Sequence, residues 1–366
     1  MNQTFSNRID QLRRRLKSDD LPGLLVTNPV NVTYLTGFTG DSSNLLVTRS
    51  KVVIISDSRF ASQLSEECAG LPAEIRDATS TTLVLTCKTI QSLKLKGIGI
   101  ESGSMTKAAY DELSAAIPAV ELIDTTGVVE TLRAIKDRGE IDAIRRSIRV
   151  NERAFEVIRA RLTGDQTEKQ IAHNIEHQMR AFGASQCAFK PIVGVGSRSA
   201  LPHATVTDRR VSESPFVLID WGAQVDLYVS DLTRVLITGK APAKFRKIYD
   251  VVLAAQQAAI NVIRAGVTWK EVDRAARGTI ERAGYGKYFG HGLGHGFGLQ
   301  VHELPFLSPI RDGVLSANMV VTVEPGIYLP DFGGVRIEDD VLVTESGYEV
   351  LSKLPKTFDE MAVDLK

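Results

Sequence analysis

The 366-residue sequence predicts a protein of mixed α/β (α+β) class with two domains. One observation is the length, because a single hydrophobic core rarely grows beyond about 250 to 300 residues. The other is a change of pattern: short β-branched runs alternate with helical stretches in the first third, and long amphipathic helices and two apolar hairpins follow. We therefore predict a small α/β domain over residues 1–130 and a larger domain over residues 131–366.

The N-terminal domain is predicted from runs rich in Leu, Val and Ile that are typical of strands, at residues 23–27, 44–48, 51–56 and 97–102. Asp57 directly follows the third run, in the segment "SDSRF". A carboxylate at that position can accept hydrogen bonds from the first backbone N–H groups of a helix. We therefore predict a capping role for Asp57 rather than a catalytic one.

The C-terminal domain is predicted to begin with a long helix after the polar segment "AIKDRGEID". Its apolar residues recur at spacings of three, four and seven, as on a helix with one buried face: Ile141, Ile144, Ile148, Phe155, Ile158 and Leu162. Further helices are predicted near 167–182, 243–264 and 269–283, and apolar hairpins at 216–238 and 319–344. Helices and strands are therefore interleaved along this domain.

Composition limits the class of partner. Lys plus Arg equals Asp plus Glu at 44 each, so no overall field draws the protein to nucleic acid or to an anionic membrane. The sequence contains neither a run of roughly 18 apolar residues nor an N-terminal apolar signal region. Cys68, Cys87 and Cys187 are few and scattered, which favours a reducing compartment. We expect a cytoplasmic protein that acts on a small molecule or peptide.

The segment "HNIEH" at residues 173–177 matches an inverted zinc-peptidase pattern, in which two histidines one helical turn apart bind zinc. Its context favours an ordinary amphipathic helix, because Thr167 and Gln170 have capping-box spacing and an apolar stripe follows them. His173 and His177 each lie two residues after a stripe position, about 200° around the helix. We therefore predict that both histidines face water.

Acidic residues interrupt or end the apolar runs of the two predicted hairpins. Asp220 ends "FVLID" and Asp231 ends "LYVSD", and a hairpin symmetric about residues 225 and 226 would place them opposite each other. Glu324 follows "VVTV", and Glu338 follows Ile337 in the same way. Buried like charges are costly unless a cation lies between them. Because carboxylates can bridge two divalent ions, these strands predict a metal site.

The segment "HGLGHGFGLQVHELP" at residues 291–305 holds His291, His295 and His302 among closely spaced glycines. Glycines at 292, 294, 296 and 298 would let the backbone pass close to a crowded site where Cβ atoms would collide. An imidazole can complete a shell of carboxylates around a divalent ion. The histidines and the strand carboxylates therefore predict one site.

Together these segments resemble the pita-bread metallopeptidase family (M24), in its proline-peptidase branch of Xaa-Pro aminopeptidase (aminopeptidase P) and Xaa-Pro dipeptidase (prolidase). The likeness rests on "IDWGAQVDLYVSDLTR", "HGLGHGFGLQVHELP", "VTVEPGIY" and "VRIEDD", with "NVTYLTGFTG" and "SDSRF" in the first domain. It implies a creatinase/prolidase-like N-terminal domain before a pita-bread catalytic domain. It also implies two divalent ions, of which Mn²⁺ is favoured over Co²⁺, Zn²⁺ and Fe²⁺, and the metal ligands Asp220, Asp231, His295, Glu324 and Glu338.

The resemblance also implies roles around those ligands. Asp231 and Glu338 would bridge the ions, and Glu324 would shuttle a proton from water to the leaving nitrogen. His302 would stabilise the oxyanion, and His291 would line the site for proline. Two further residues complete the implied site: His203 in contact with substrate and Arg336 in support of the ligands.

Three positions depart from the usual pattern of the family: Trp221 stands where a smaller residue is common, Leu227 where glycine is common, and Gln300 where an acidic residue is common. None of the three is an implied ligand. We therefore expect them to affect substrate preference rather than catalysis.

The implied activity is exopeptidase cleavage of peptides with proline at the second position, in a homodimer. Prolidases need a cation for the substrate carboxylate, and several relatives have an arginine where this sequence has Phe306. This favours an Xaa-Pro aminopeptidase, with an Xaa-Pro dipeptidase as the alternative if Arg311 or a partner subunit supplies that cation. A non-catalytic binding module, or a metal-free C–N hydrolase like creatinase, is a remote alternative because such proteins lose metal ligands.

Overall fold

A computed structural model describes residues 3–365, and the chain divides into two units, Met1–Arg133 and Ala134–Lys366. Residues 1, 2 and 366, at the ends of the two predicted domains, lie outside the described part. Within residues 3–365, no helix is both long and apolar enough to cross a membrane. The mixed α/β class predicted from the sequence is confirmed.

The N-terminal unit is built on a mixed sheet with strand order β4-β3-β2-β1-β5-β6. The predicted runs form β1, β2, β3 and β5, all largely buried. The elements of this unit are α1 (Gln3–Ser18), β1 (Gly23–Val26), α2 (Pro29–Thr36), β2 (Ser43–Thr48), β3 (Val52–Asp57), α3 (Ala61–Glu67), β4 (Ala73–Arg76), α4 (Thr82–Ser92), β5 (Gly97–Glu101), α5 (Lys107–Ala116), β6 (Glu121–Thr125) and α6 (Val128–Ala134).

Asp57 ends β3 and caps the short helical turn that follows, as predicted. Its Oδ1 accepts a hydrogen bond from the Arg59 backbone N–H at 2.9 Å. The Arg59 guanidinium also binds this carboxylate and lowers the pKa of Asp57 to about 2. The role of Asp57 in the fold is therefore local: it satisfies an N–H that the turn would otherwise leave without a partner.

Helices of the C-terminal unit lie close to their predicted positions: α7 (Arg138–Ala160), α8 (Glu168–Ala181), α9 (Ala243–Ile260) and α10 (Trp269–Arg282). The predicted capping box of α8 is present, with Thr167 and Gln170 exchanging hydrogen bonds. Side chains of His173 and His177 are exposed, as predicted, so "HNIEH" is the solvent face of a helix. In α7 the isoleucines of the predicted stripe are buried.

Strands of the C-terminal unit form small sheets with orders β11-β10-β7, β12-β9-β8, β14-β13-β15-β18-β19 and β16-β17. Their bounds are β7 (Gln186–Cys187), β8 (Ile192–Val195), β9 (Phe216–Trp221), β10 (Ala223–Val225), β11 (Tyr228–Val229), β12 (Leu232–Ile237), β13 (Gly294–Gly296), β14 (Glu303–Leu307), β15 (Val320–Val323), β16 (Gly326–Leu329), β17 (Gly333–Arg336), β18 (Asp339–Val343) and β19 (Tyr348–Val350).

Strand β9 is buried on both faces, and its alternation determines where Asp220 points. Phe216 and Leu218 belong to the core cluster that includes residues of α9, whereas Val217 and Ile219 belong to the cluster that includes residues of α7 and α8. Because side chains alternate along a strand, Asp220 shares the face of Phe216 and Leu218. Its carboxylate is therefore held in the interior.

The first hairpin has a different register from the predicted one. Asp220 pairs with Thr233 rather than with Asp231, because the two-residue turn is Asp226–Leu227, one position later than predicted. Asp226 and Leu227 have φ values of 49° and 73°, the left-handed conformation of a tight hairpin turn. Asp231 precedes Thr233 by two residues, so it lies diagonally across the hairpin from Asp220.

Candidate metal centre

The nine side chains that the sequence assigns to the site all line one cavity of about 670 Å³ in the C-terminal unit. They are His203, Asp220, Asp231, His291, His295, His302, Glu324, Arg336 and Glu338. These residues are spread over more than 130 positions of the chain, from His203 to Glu338. The fold therefore brings the predicted site residues together.

Three carboxylates form the inner part of the cavity. Asp220, Asp231 and Glu338 are buried, and each offers an oxygen within 4.8 Å of the others. Within residues 3–365, Asp220 Oδ1 and Glu338 Oε1 are buried without a hydrogen-bond partner. Converging carboxylate oxygens with lone pairs to spare are the ligands that hard divalent cations prefer. The donor set therefore fits a divalent metal.

The pKa values of these three carboxylates also favour a cation between them. Burial, followed by the neighbouring acids, raises the pKa of Asp231 and of Glu338 well above the ordinary values. Burial also raises the pKa of Asp220, although the Arg336 guanidinium opposes the rise. Ionisation of one carboxylate makes ionisation of its neighbours less favourable. A cation among them would offset both the cost of desolvation and the repulsion between the charges.

A second group of ligands lies beside Asp231. His295 Nε2 is 3.3 Å from Glu324 Oε1 and 3.8 Å from Asp231 Oδ2. Nδ1 of His295 lies 3.2 Å from the Gly296 carbonyl oxygen, which can only accept, so Nδ1 donates and Nε2 faces the carboxylates. Thr322 donates to Glu324 Oε1 at 3.1 Å and accepts from the His295 backbone N–H. Asp231 is thus close to both groups.

Glu324 differs from the other carboxylates in its pKa. Burial alone would raise the pKa of Glu324, but the hydrogen bond and charge of His295 outweigh it and lower the pKa to about 2. Glu324 is therefore ionised over the physiological range. An ionised carboxylate at this position can serve as a ligand for a cation.

Arg336 connects the carboxylates to the histidine at the cavity wall. Its Nη2 donates to Asp220 Oδ2 at 2.5 Å, its Nε donates to Thr233 Oγ1 at 3.0 Å, and its Nη1 donates to the Tyr328 hydroxyl at 2.9 Å. That hydroxyl is 3.0 Å from His291 Nε2. His291 Nδ1 donates to the Gly292 carbonyl, so Tyr328 donates to Nε2 and fixes the imidazole.

His302 and His203 occupy other parts of the cavity lining. The ring of His302 packs against that of His295 with centroids 4.3 Å apart. Burial, followed by the neighbouring His295, lowers the pKa of His302, so its imidazole is neutral and can donate one hydrogen bond. His203 lies in the connection between β8 and β9 and has an exposed side chain.

Most of the candidate ligands lie at strand ends rather than in strand interiors. Of the four candidate carboxylate ligands, only Asp220 lies within a strand. The other three occupy the connections that follow β11, β15 and β17: Asp231, Glu324 and Glu338. Arg336 and Glu338 do not lie on one strand, because β17 ends at Arg336. Strand ends let a chain turn its carboxylates inward while the ladder hydrogen bonds remain paired.

Two of the glycines in the histidine segment are required by close backbone approach, as predicted. A Cβ atom on Gly294 would lie 2.1 Å from the Thr322 carbonyl oxygen, and one on Gly296 would lie 2.1 Å from the Leu304 carbonyl oxygen. Neither position has room for a side chain. The segment can therefore pack between its neighbours only with glycine at these two places.

Sequence reasoning missed three hydroxyl groups that hold the site. Thr233 donates to Glu338 Oε2 at 2.7 Å, Thr322 binds both Glu324 and the His295 backbone, and Tyr328 joins Arg336 to His291. The sequence indicates these three residues only by their position. Each is a polar residue that interrupts or flanks an apolar run near a predicted ligand. Hydroxyls at such places satisfy the remaining lone pairs of buried carboxylates.

Comparison with known proteins extends the likeness over nearly the whole chain. Residues 142–345 match metallopeptidase family M24, and residues 8–135 match the creatinase/prolidase N-terminal domain. An Xaa-Pro dipeptidase of Pyrococcus furiosus is 33% identical over 349 residues, covering 95% of this chain and 98% of the relative.

Solved structures agree in fold. An Xaa-Pro dipeptidase from Bacillus anthracis has a TM-score of 0.92 at 37% identity, covering 96% of this chain and 98% of its own. An X-Pro aminopeptidase from Thermotoga maritima has a TM-score of 0.86 at 36% identity, covering 94% and 98%. The chain therefore belongs to metallopeptidase family M24, in its proline-peptidase branch, and carries a creatinase/prolidase N-terminal domain before the metallopeptidase domain.

Proposed function

We propose that the protein is an Xaa-Pro dipeptidase, which hydrolyses the bond between an N-terminal residue and a C-terminal proline. The observation that carries this proposal is that Arg311 lines the same cavity as the carboxylate and histidine cluster. A dipeptide ends in a carboxylate one residue beyond the scissile bond, so a site that selects dipeptides needs a cation there. The Arg311 guanidinium lies 5.8 Å from the ring centre of Phe306, the position where several relatives have arginine.

The sequence alone favoured an Xaa-Pro aminopeptidase, because Phe306 replaces that arginine. Arg311 weakens this reasoning, and the near full-length similarity to proteins named Xaa-Pro dipeptidase supports the dipeptidase at least as well. An Xaa-Pro aminopeptidase is the second candidate, since a structure with that name is similar over 94% of this chain. The two activities differ in whether a residue after proline is accepted.

The proposed centre holds two divalent ions, with Mn²⁺ favoured because most of its ligands are carboxylates. Asp220, Asp231 and Glu338 would hold one ion, and His295 and Glu324 the other, with Asp231 and Glu338 shared. When bound, the two ions would acidify a water molecule and polarise the scissile carbonyl.

The protein's own residues supply the remaining chemistry. Glu324 would accept a proton from the attacking water and pass it to the leaving imino nitrogen. His302 donates to the carbonyl oxygen as negative charge develops there. Arg336 is a positioning residue that holds Asp220, and His291 and His203 contact the substrate along the cavity wall.

Proline explains why the site is a cavity rather than a strand-binding edge. The Xaa-Pro bond lacks an N–H and the ring fixes φ near −65°, so the substrate cannot pair as an extended strand. A shaped pocket with few polar contacts must replace those backbone hydrogen bonds. The largely apolar wall around the carboxylates has this character, with Phe189, Pro202, Val301 and Phe306 among its residues.

The deciding experiment compares purified, Mn²⁺-loaded protein on Ala-Pro and Ala-Pro-Ala. A dipeptidase is expected to cleave Ala-Pro at least about tenfold more efficiently. In addition, Arg311→Met should raise KM for Ala-Pro by about tenfold, since it removes a charged hydrogen-bond partner, while leaving KM for Ala-Pro-amide nearly unchanged. Preference for Ala-Pro-Ala by the wild-type protein would replace the dipeptidase with the aminopeptidase.

Metal analysis separates both peptidases from the remote alternatives. The metallopeptidase proposal expects close to two divalent ions per chain after Mn²⁺ loading, and activity that chelation removes. Less than one ion per chain, with no gain of activity on adding Mn²⁺ or Co²⁺, would favour a binding module or a creatinase-like hydrolase.

A further inference from the structure

One wall of the cavity is a single stretch of chain, residues 196–207, between β8 and β9. Five consecutive residues of this wall segment line the cavity, Pro202 to Val206, with His203 among them. The segment begins as a short helical turn, Gly196–Ala200, and then continues without regular secondary structure. Something other than a sheet ladder must therefore fix the position of His203.

Glu168, in the first turn of α8, makes the hydrogen bonds that fix the wall segment. Its side chain is fully buried, and each carboxylate oxygen accepts hydrogen bonds from the wall segment or the residue before it. Oε1 accepts from the Val195 backbone N–H at 2.9 Å, and Oε2 accepts from the Thr207 backbone N–H at 2.8 Å and its hydroxyl at 2.7 Å. One carboxylate thus joins the two ends of the segment.

Arg198 adds a third attachment inside the segment. Its Nε donates to both oxygens of Glu168 at 3.0 Å, and its Nη2 donates to the Thr205 carbonyl. The backbone between these points, which carries His203, is therefore fixed on both sides. Hydrogen bonds to a buried charged group are stronger than those between neutral groups. Glu168 therefore holds the wall segment more firmly than backbone hydrogen bonds within a turn would.

The opposite side of the wall segment contacts the strand that carries Arg336. Ser199 Oγ accepts from the Gly334 backbone N–H at 2.8 Å, and the Pro202 carbonyl accepts from Arg336 Nη1 at 3.4 Å. Glu168 itself does not line the cavity, whereas the residues it holds do. Its influence on a substrate is therefore transmitted through the segment.

We propose that Glu168 is a positioning residue for substrate binding, which acts by holding the 196–207 segment so that His203 meets the bound peptide. This inference rests on the proposed Xaa-Pro peptidase function. It adds a residue outside the cavity that affects substrate affinity without being a metal ligand.

The test is Glu168→Gln. A glutamine keeps the size of the side chain but replaces one accepting oxygen with a donating NH₂ group, which faces N–H donors that it cannot satisfy. We expect KM for Ala-Pro to rise about tenfold, with kcat and the affinity for Mn²⁺ within about twofold of the wild type. In a His203→Ala background, the same substitution should change KM by less than about twofold.

A matched control is Glu152→Gln. Glu152, on α7, also accepts backbone hydrogen bonds, from Lys353 and Leu354, but that segment does not line the cavity. Its substitution should leave KM unchanged in both backgrounds. If Glu168→Gln fails to fold, Arg198→Met removes one attachment and should shift KM in the same direction.

Hydrogen exchange in the metal-free protein gives a readout that needs no activity. Glu168→Gln should reduce protection of the Val195 and Thr207 amides, and Glu152→Gln should not. Equal losses of kcat/KM with and without His203 would overturn the inference, and so would unchanged amide protection. Absence of Xaa-Pro hydrolysis by the wild-type protein would instead refute the proposed function, while the exchange result still decides whether Glu168 holds the segment.

Discussion

Replacing Arg336 with methionine should destabilise the metal-free protein much more than the metal-loaded one. The Arg336 and Asp220 side chains are 4% and 11% exposed, and their ion pair is 2.5 Å long. Methionine preserves much of the length of the side chain but leaves the Asp220 carboxylate buried without its cation. A bound divalent ion next to Asp220 would replace part of the lost charge.

The size of the effect follows from the burial of the pair. Removing one partner of a buried ion pair costs about 3–5 kcal/mol. For a domain of this size each kcal/mol lowers Tm by about 2–4 °C, so the metal-free variant should lose roughly 6–20 °C. With saturating Mn²⁺ we expect less than about half of that decrease, since an ion bound beside Asp220 would neutralise its carboxylate in the folded state.

Thermal unfolding followed by circular dichroism, in EDTA and in Mn²⁺, measures both values. Arg246→Met is the control, because the Arg246 and Asp359 side chains are 49% and 74% exposed, and its Tm should stay near the wild-type value. A metal-free decrease below about 2 °C for Arg336→Met would refute the argument from burial. Equal decreases with and without Mn²⁺ would remove Asp220 from the metal centre.

Four further outcomes are expected. Asp231→Asn should abolish peptidase activity and reduce bound Mn²⁺, with an unchanged circular dichroism spectrum; near-normal kcat would exclude Asp231 as a ligand. Mn²⁺ binding should release protons and weaken as pH falls, because the raised pKa values of Asp231 and Glu338 keep protons on these groups in the metal-free protein; calorimetry in two buffers would contradict this if no proton release were found. His302→Ala should lower kcat by about 10² to 10³ without changing Mn²⁺ affinity, measured by titration; a change in affinity alone would assign His302 to the metal. Leu227→Gly should raise Tm by roughly 2–4 °C, because Leu227 has a φ of 73°, a conformation that costs a non-glycine residue about 1 kcal/mol; a lower Tm would show that the turn is unstrained.

Local patterns in the sequence predicted the helices and the buried strands well. Thr167 and Gln170 marked the start of α8 by their own chemistry, and the apolar runs marked β1, β2, β3 and β5. Strands β4 and β6 were not predicted, because they form the two edges of their sheet and neither contains a fully buried residue. An edge strand buries less of its surface, so its composition indicates a strand less clearly.

Long-range geometry was harder to predict. The register of the first hairpin depended on the turn, and Leu227 gives no sign in its residue type that it adopts a left-handed conformation. The candidate ligands could be named from their motifs, but their supporting hydroxyls could not, because Thr233 and Glu338 meet across 105 residues. Such contacts depend on how separate elements pack, which local periodicity does not encode.

The dispersal of the candidate ligands along the chain has a consequence for when a metal could bind. Asp220 and Glu338 stand 118 positions apart, so residue 338 must be synthesised before the carboxylates can converge. A nascent or unfolded chain offers only scattered, weak sites for a cation. We therefore expect tight metal binding only once these segments have packed together.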